Sequence, residues 1–270
     1  MTSTSHPDNP IGVFDSGIGG LTVVSALLQR LPEESIIYFG DTARVPYGIK
    51  SAATIEHYAA QITEFLLLQR VKVLIIACNT MAAVAYQAVK DLAPVPVLEV
   101  IEAGARGVLT RTRNKRVGII GTPVTIHSGA YVRAIHRHDP EIRIFPQACP
   151  LFVPLVEEGW LSHPVTRLTS EEYLQSLLAE RIDTLVLGCT HYPLLKPLLQ
   201  QVVGPDVTLV DSAEAMADQL ASLLDSNHLR RGDGALPEHR FYVTDVPHRF
   251  QEVGERFLGR MLGKVVVHTW

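Results

Sequence analysis

Short apolar runs alternate with helix-period patterns along the whole chain. IGVF (11–14), SIIYF (35–39), VLIIA (73–77) and VPVL (95–98) are rich in Val, Ile and aromatic residues and bounded by turn formers, so each predicts a strand. VGII (117–120), IRIF (142–145), TLVLG (184–188), VTLV (207–210), FYVT (241–244) and VVVH (265–268) continue the series. Between them, residues 51–68 carry Ile55, Tyr58, Ala59, Ile62, Phe65 and Leu66 on one face of a helix. Strands this uniformly apolar, interleaved with helices, are buried on both faces. The pattern therefore predicts an α/β chain with mainly parallel sheets.

A longer-range pattern divides the chain. IGVFDSG (11–17) is echoed by VGIIGTP (117–123), and LIIACNT (74–80) by LVLGCTH (185–191). Gly12 lies 66 residues before Cys78, and Gly118 lies 71 before Cys189. Two echoes at nearly equal spacing predict two pseudo-symmetric, doubly wound domains with a cleft between them. Residues 1–10 read as a flexible polar tail, 11–100 plus 214–270 as the first domain, and 101–213 as the second. The last stretch supplies strand–helix units that return to the first sheet.

Composition narrows the class. The chain has 270 residues, 47 % hydrophobic and 19 % charged, which suits an ordinary globular protein. A net charge of −4 gives no electrostatic ground for a nucleic acid or anionic-membrane partner. The N-terminal MTSTSHPDNP lacks the basic and apolar regions of a signal peptide, and no apolar run approaches the eighteen residues of a membrane span. Cys78, Cys149 and Cys189 are an odd number without a CxxC pair, pointing to free thiols in a reducing cytoplasm.

Ligands of open α/β sheets bind beyond the carboxyl ends of strands. Asp15, Ser16, Cys78, Asn79, Thr80, Thr122, Cys189, Thr190 and His191 all stand at such ends. Helical patterns follow both cysteines, over 79–90 and 193–201, and a helix N-terminus lowers a thiol's pKa. Each cysteine alone fits buried packing as well as chemistry, and Asn79-Thr80 alone fits a helix cap. The matched pair favours chemistry. Two opposed acid/base thiols suit a two-base proton transfer at carbon, one removing a proton from one face and the other returning it to the opposite face. Zinc fits poorly, because Cys-Thr-His lacks the ligand number and spacing. GIGG (17–20) after a strand, with Asp41 ending a second, is a competing dinucleotide motif, but Thr22 stands at its third glycine.

These motifs carry a resemblance. GVFDSGIGGLTV (12–23), YFGDTARVPYG (38–48), IIACNT (75–80), GTPVTIHSG (121–129), FVPLVEEG (152–159), LGCTHYPLL (187–195) and VDSA (210–213) occur in family order. The chain resembles the cofactor-independent aspartate/glutamate racemase family, on its glutamate branch. The resemblance implies interconversion of L- and D-glutamate, without cofactor or metal, for peptidoglycan in a bacterial cytoplasm, in a protein that pairs as a homodimer. It implies Cys189 as the base for L-glutamate and Cys78 for D-glutamate, with His191 and Asp15 assisting them. It places Asp15, Ser16, Pro46, Tyr47, Gly48, Asn79, Thr80, Thr122 and Thr190 around the substrate, with Glu157 near the second thiol. Glu157 also reads as a solvated helix charge beside Glu158, and Cys149 as core packing. A racemase of the same family acting on aspartate or another amino acid, and a non-catalytic amino-acid-binding protein, are the alternatives. An acidic residue commonly replaces His191 in the aspartate branch.

Overall fold

The computed structural model describes residues 6–232 and 236–270. The first stretch runs β1 (Ile11–Asp15), α1 (Leu21–Arg30), β2 (Ile36–Gly40), α2 (Ala52–Leu68), β3 (Val73–Ile76), α3 (Asn79–Leu92), β4 (Val97–Glu99) and α4 (Val100–Leu109). The second runs β5 (Arg116–Gly121), α5 (Pro123–His127), α6 (Ala130–His138), β6 (Arg143–Ala148), α7 (Phe152–Glu157), α8 (Pro164–Ala179), β7 (Thr184–Gly188), α9 (Lys196–Val203), β8 (Thr208–Asp211) and α10 (Ser212–Ser226). β9 (His239–Val243), α11 (Pro247–Leu258) and β10 (Val265–Val267) complete the chain.

The strands form two wholly parallel sheets, ordered β10-β9-β2-β1-β3-β4 and β6-β5-β7-β8. Within each, the first four strands of the stretch lie in the order second, first, third, fourth. The echo in the sequence is therefore an echo of topology. β1, β3 and β7 are buried at every position, as central strands covered by helices on both faces must be. β6 is an edge strand, which is why it tolerates Pro146 and keeps a half-exposed face.

The chain crosses between the sheets twice, and each crossing opens on a buried carboxylate. Glu99 accepts backbone N–H bonds from Ile101 and Glu102 at 2.5 and 2.8 Å to cap α4. Asp211 accepts from Ala213 and Glu214 at 2.9 and 3.5 Å to cap α10. Both satisfy first-turn donors that would otherwise be orphaned. The two crossover helices pack against each other.

Two local expectations change. The helical pattern at 193–201 is a 3₁₀ turn over Tyr192–Leu195, followed by α9 from Lys196. Pro193 and Pro197 lack an N–H and are accepted only in first turns, so the segment is split. At the N-terminus, residues 1–5 of the expected tail lie outside the described residues. Residues 6–10 are tied down through Lys72, whose N donates to Pro10 O at 2.9 Å and whose Nζ donates to Pro7 O at 2.5 Å.

Candidate active site

In a sheet of this strand order the topological switch point lies between the first and third strands. Asp15 ends β1, and Cys78 stands two residues beyond β3. Thr122 follows β5, and Cys189 follows β7. The two switch points face one another across a cavity of about 440 Å³. Both cysteines line it, 5 % and 7 % exposed. Ser16, Pro46, Tyr47, Gly48, Asn79, Thr80, Thr122, Glu157, Thr190 and His191 line it too. Of the residues expected from the sequence, only Asp15 is withdrawn from the wall, 1 % exposed behind Cys78.

The two thiols have different company. Cys78 is the N-cap residue of α3, and its Sγ donates to Ser16 Oγ at 3.5 Å. The expected lowering by the helix terminus does not prevail. Burial, helped by the Asp15 carboxylate, pushes the Cys78 thiol up to about 12 against the backbone N–H groups of Met81 and Ser16. Cys189 precedes no α-helix directly, but its Sγ lies 3.9 Å from His191 Nδ1. The other ring nitrogen, Nε2, lies 3.1 Å from Glu157 Oε1. Sulfur, imidazole and carboxylate thus stand in line.

Burial alone would lower the His191 pKa. Hydrogen bonds and charge from Cys189 and Glu157 outweigh it and raise the imidazole to about 10. Glu157 is held below the usual carboxylate range mainly by its bond to His191, with burial opposing. Its reading as a merely solvated charge therefore gives way to a buried-side ion pair. Because His191 titrates at about 10 when folded and at 6.5 in the reference state, its contribution to stability is complete below pH 6.5 and disappears as pH rises through about 10. Glu157→Gln removes one charge that holds the imidazolium. Thermal denaturation from pH 6 to 10 should then show a smaller loss that is complete at lower pH than in the parent, and an unchanged profile would dissociate Glu157 from His191.

Hydroxyl groups furnish much of the remaining wall. Thr80 Oγ1 and Thr122 Oγ1 lie 3.0 Å apart, joining α3 to the turn after β5. Thr125 Oγ1 completes the cluster, 3.0 Å from Thr122 and 3.4 Å from Thr80. Thr125 is absent from the sequence-based set, although its spacing of three from the capping Thr122 is a visible sign. Tyr47 lines the cavity, but its hydroxyl is already bonded to the buried Asp41 carboxylate. Cys149 is fully buried, consistent with packing; its carbonyl accepts from Tyr192 Oη at 2.8 Å.

GIGG has a steric rationale here. A Cβ on Gly19 would lie 2.5 Å from His191 Nδ1 and closer still to Thr190 Oγ1. Gly19 lets the loop after β1 pass directly against the pair that follows Cys189. Thr22, at the missing third glycine, donates to Gly19 O at 2.9 Å and lies 3.1 Å from Thr190 O. The segment ties one sheet to the other.

Residues 11–220 match the family described as Asp/Glu/Hydantoin racemase. A glutamate racemase of Syntrophus aciditrophicus is 70 % identical over 262 residues, covering 97 % of both chains. A glutamate racemase of Neisseria meningitidis is 58 % identical over 257 residues, covering 95 % of both. The crystal structure of glutamate racemase from Francisella tularensis in complex with D-glutamate superposes with a TM-score of 0.92 at 45 % identity, covering 97 % of this chain and 98 % of that one.

Proposed function

The chain belongs to the Asp/Glu/hydantoin racemase family, on its glutamate racemase branch, and from that premise we propose that its paired thiols invert the α-carbon of glutamate. The enzyme class is isomerase. The observation that carries the mechanism is the meeting of Cys78 and Cys189 at the switch points of two similarly ordered sheets, on one cavity.

In the L-to-D direction Cys189, as thiolate, takes the α-proton from one face of the bound amino acid. The C–H electron pair stays on carbon as a carbanion-like centre. Cys78, as neutral thiol, then delivers its proton to the opposite face. The product leaves with Cys189 protonated and Cys78 ionised, and the D-to-L direction runs the steps in reverse. Burial holds Cys78 protonated at the outset, at about 12, as the acid of this direction must be. His191, cationic through neutral pH, gives Cys189 a counter-charge 3.9 Å away.

The α-proton is only weakly acidic, so the wall must favour the charge that develops. Ser16, Asn79, Thr80, Thr122 and Thr190 offer neutral donors to the substrate carboxylates, already oriented by the fold. Asp15 assists on the Cys78 side, its pKa raised by burial with His191 opposing. The lobes divide as 11–100 plus 214–270 and 101–213. In the cell this activity supplies D-glutamate for peptidoglycan, in a bacterial cytoplasm and as a homodimer. No helix among the described residues is long and apolar enough to cross a membrane.

Incubation of L-glutamate with the protein in D₂O tests the reading. Deuterium should enter Cα while optical rotation decays to zero. A protein that binds glutamate but leaves both its α-hydrogen and its rotation untouched would be a sensor, and inversion of aspartate in preference to glutamate would move the assignment to the other branch.

A further inference from the structure

Both sheets and both crossovers converge on one phenol. Tyr131 on α6 is 2 % exposed. Its ring lies against two glycines. A Cβ on Gly104 of α4 would come within 3.1 Å of Cε1 and Oη, and one on Gly188, which precedes Cys189, within 3.0 Å of Cε2. The hydroxyl reaches across to the other sheet and donates to Asn79 Oδ1 at 2.7 Å. Ser212, the first residue of α10, neighbours the phenol closely enough to oppose the upward push of burial on its pKa.

Asn79 follows Cys78, is 3 % exposed and lines the cavity, yet its Nδ2 has no hydrogen-bond partner among the described residues. A buried amide donor left unpaired is costly unless a ligand completes it. An amide has one accepting end and one donating end. With the phenol on the oxygen, the donating end is the one left without a partner.

We propose that Tyr131 is a positioning residue: it holds the Asn79 amide with Nδ2 aimed at a substrate carboxylate, linking the donor beside Cys78 to the backbone beside Cys189. The proposal rests on the glutamate reading above. Tyr131→Phe keeps the ring between its glycines and removes only the hydroxyl. KM for both enantiomers should rise about tenfold, as for loss of one buried hydrogen bond. The value of kcat should stay within about threefold, because binding rather than the proton transfers is weakened. The melting temperature should move by no more than about 4 °C.

The decisive measurement is the same substitution in an Asn79→Ala background, where removing the hydroxyl should change KM less than about twofold. A tenfold penalty that persists there, or an unchanged KM in Tyr131→Phe itself, overturns the proposal. Should Tyr131→Phe fail to fold, Ser212→Ala loosens the phenol from its other side. It should raise KM about threefold, again only while Asn79 is present. Calorimetric titration with D-glutamate reads the same weakening without turnover. Failure of wild-type racemisation would sink the glutamate reading, whereas loss of the Asn79 dependence would sink only the role of Tyr131.

Discussion

Replacing Cys189 with alanine should abolish inversion while leaving α-hydrogen exchange alive on one enantiomer. A single general acid/base group contributes about 10²–10⁴-fold, and here its loss also removes all access to one face, so racemisation should fall about 10³-fold or more. The remaining Cys78 can still remove a proton from D-glutamate and return a solvent deuteron to the same face. NMR in D₂O should therefore show slow deuteration of D-glutamate with unchanged rotation, and none of L-glutamate. Cys78→Ala should show the opposite preference. Exchange should be faster in the Cys78→Ala protein, because the surviving Cys189 has His191 at 3.9 Å whereas Cys78 starts as a neutral thiol held at about 12. Full inversion by either variant, or exchange of both enantiomers by a protein with one thiol, would refute the two-base assignment.

Gly19→Ala should be nearly as damaging although it adds one methyl outside the reacting groups. That methyl would stand 2.5 Å from His191 Nδ1 and nearer to Thr190 Oγ1, so the loop or the Cys189 segment must retreat. Neither moves freely, because Thr22 is held at both Gly19 O and Thr190 O. A displacement near 1 Å of a reacting group costs roughly 100-fold in rate, while overpacking costs about 1–3 kcal/mol of stability. The expected result is a folded protein of lowered melting temperature with kcat reduced about 100-fold. Wild-type kcat in Gly19→Ala would show that the close approach has no bearing on catalysis.

The strands and their parallel order were legible because each is a short apolar run between turn formers, and fully buried strands such as β1 and β3 leave few other readings. The cavity wall was nearly as legible, since its polar residues sit at strand ends. What escaped depends on how two sheets meet. Thr125 enters the hydroxyl cluster, and Tyr131 reaches Asn79, only after the sheets are docked. The Tyr47 hydroxyl is taken by Asp41, a fully buried carboxylate, which the letters do not reveal. The 3₁₀ turn after Cys189 was hidden by an apolar pattern that scores as helix despite its prolines. The direction of the Cys78 shift escaped for a different reason. A helix terminus can be read from letters, whereas the burial that overrides it cannot.

The unequal company of the two sulfurs has a kinetic consequence. L- and D-glutamate have equal free energy in an achiral solvent, so the equilibrium constant of their interconversion is one. The ratio kcat/KM must then be identical in the two directions, whatever surrounds each thiol. His191 beside one sulfur and Ser16 beside the other cannot favour either enantiomer at equilibrium. Such asymmetry can only scale kcat and KM together, letting the forward and reverse reactions saturate at different concentrations while their efficiencies stay locked.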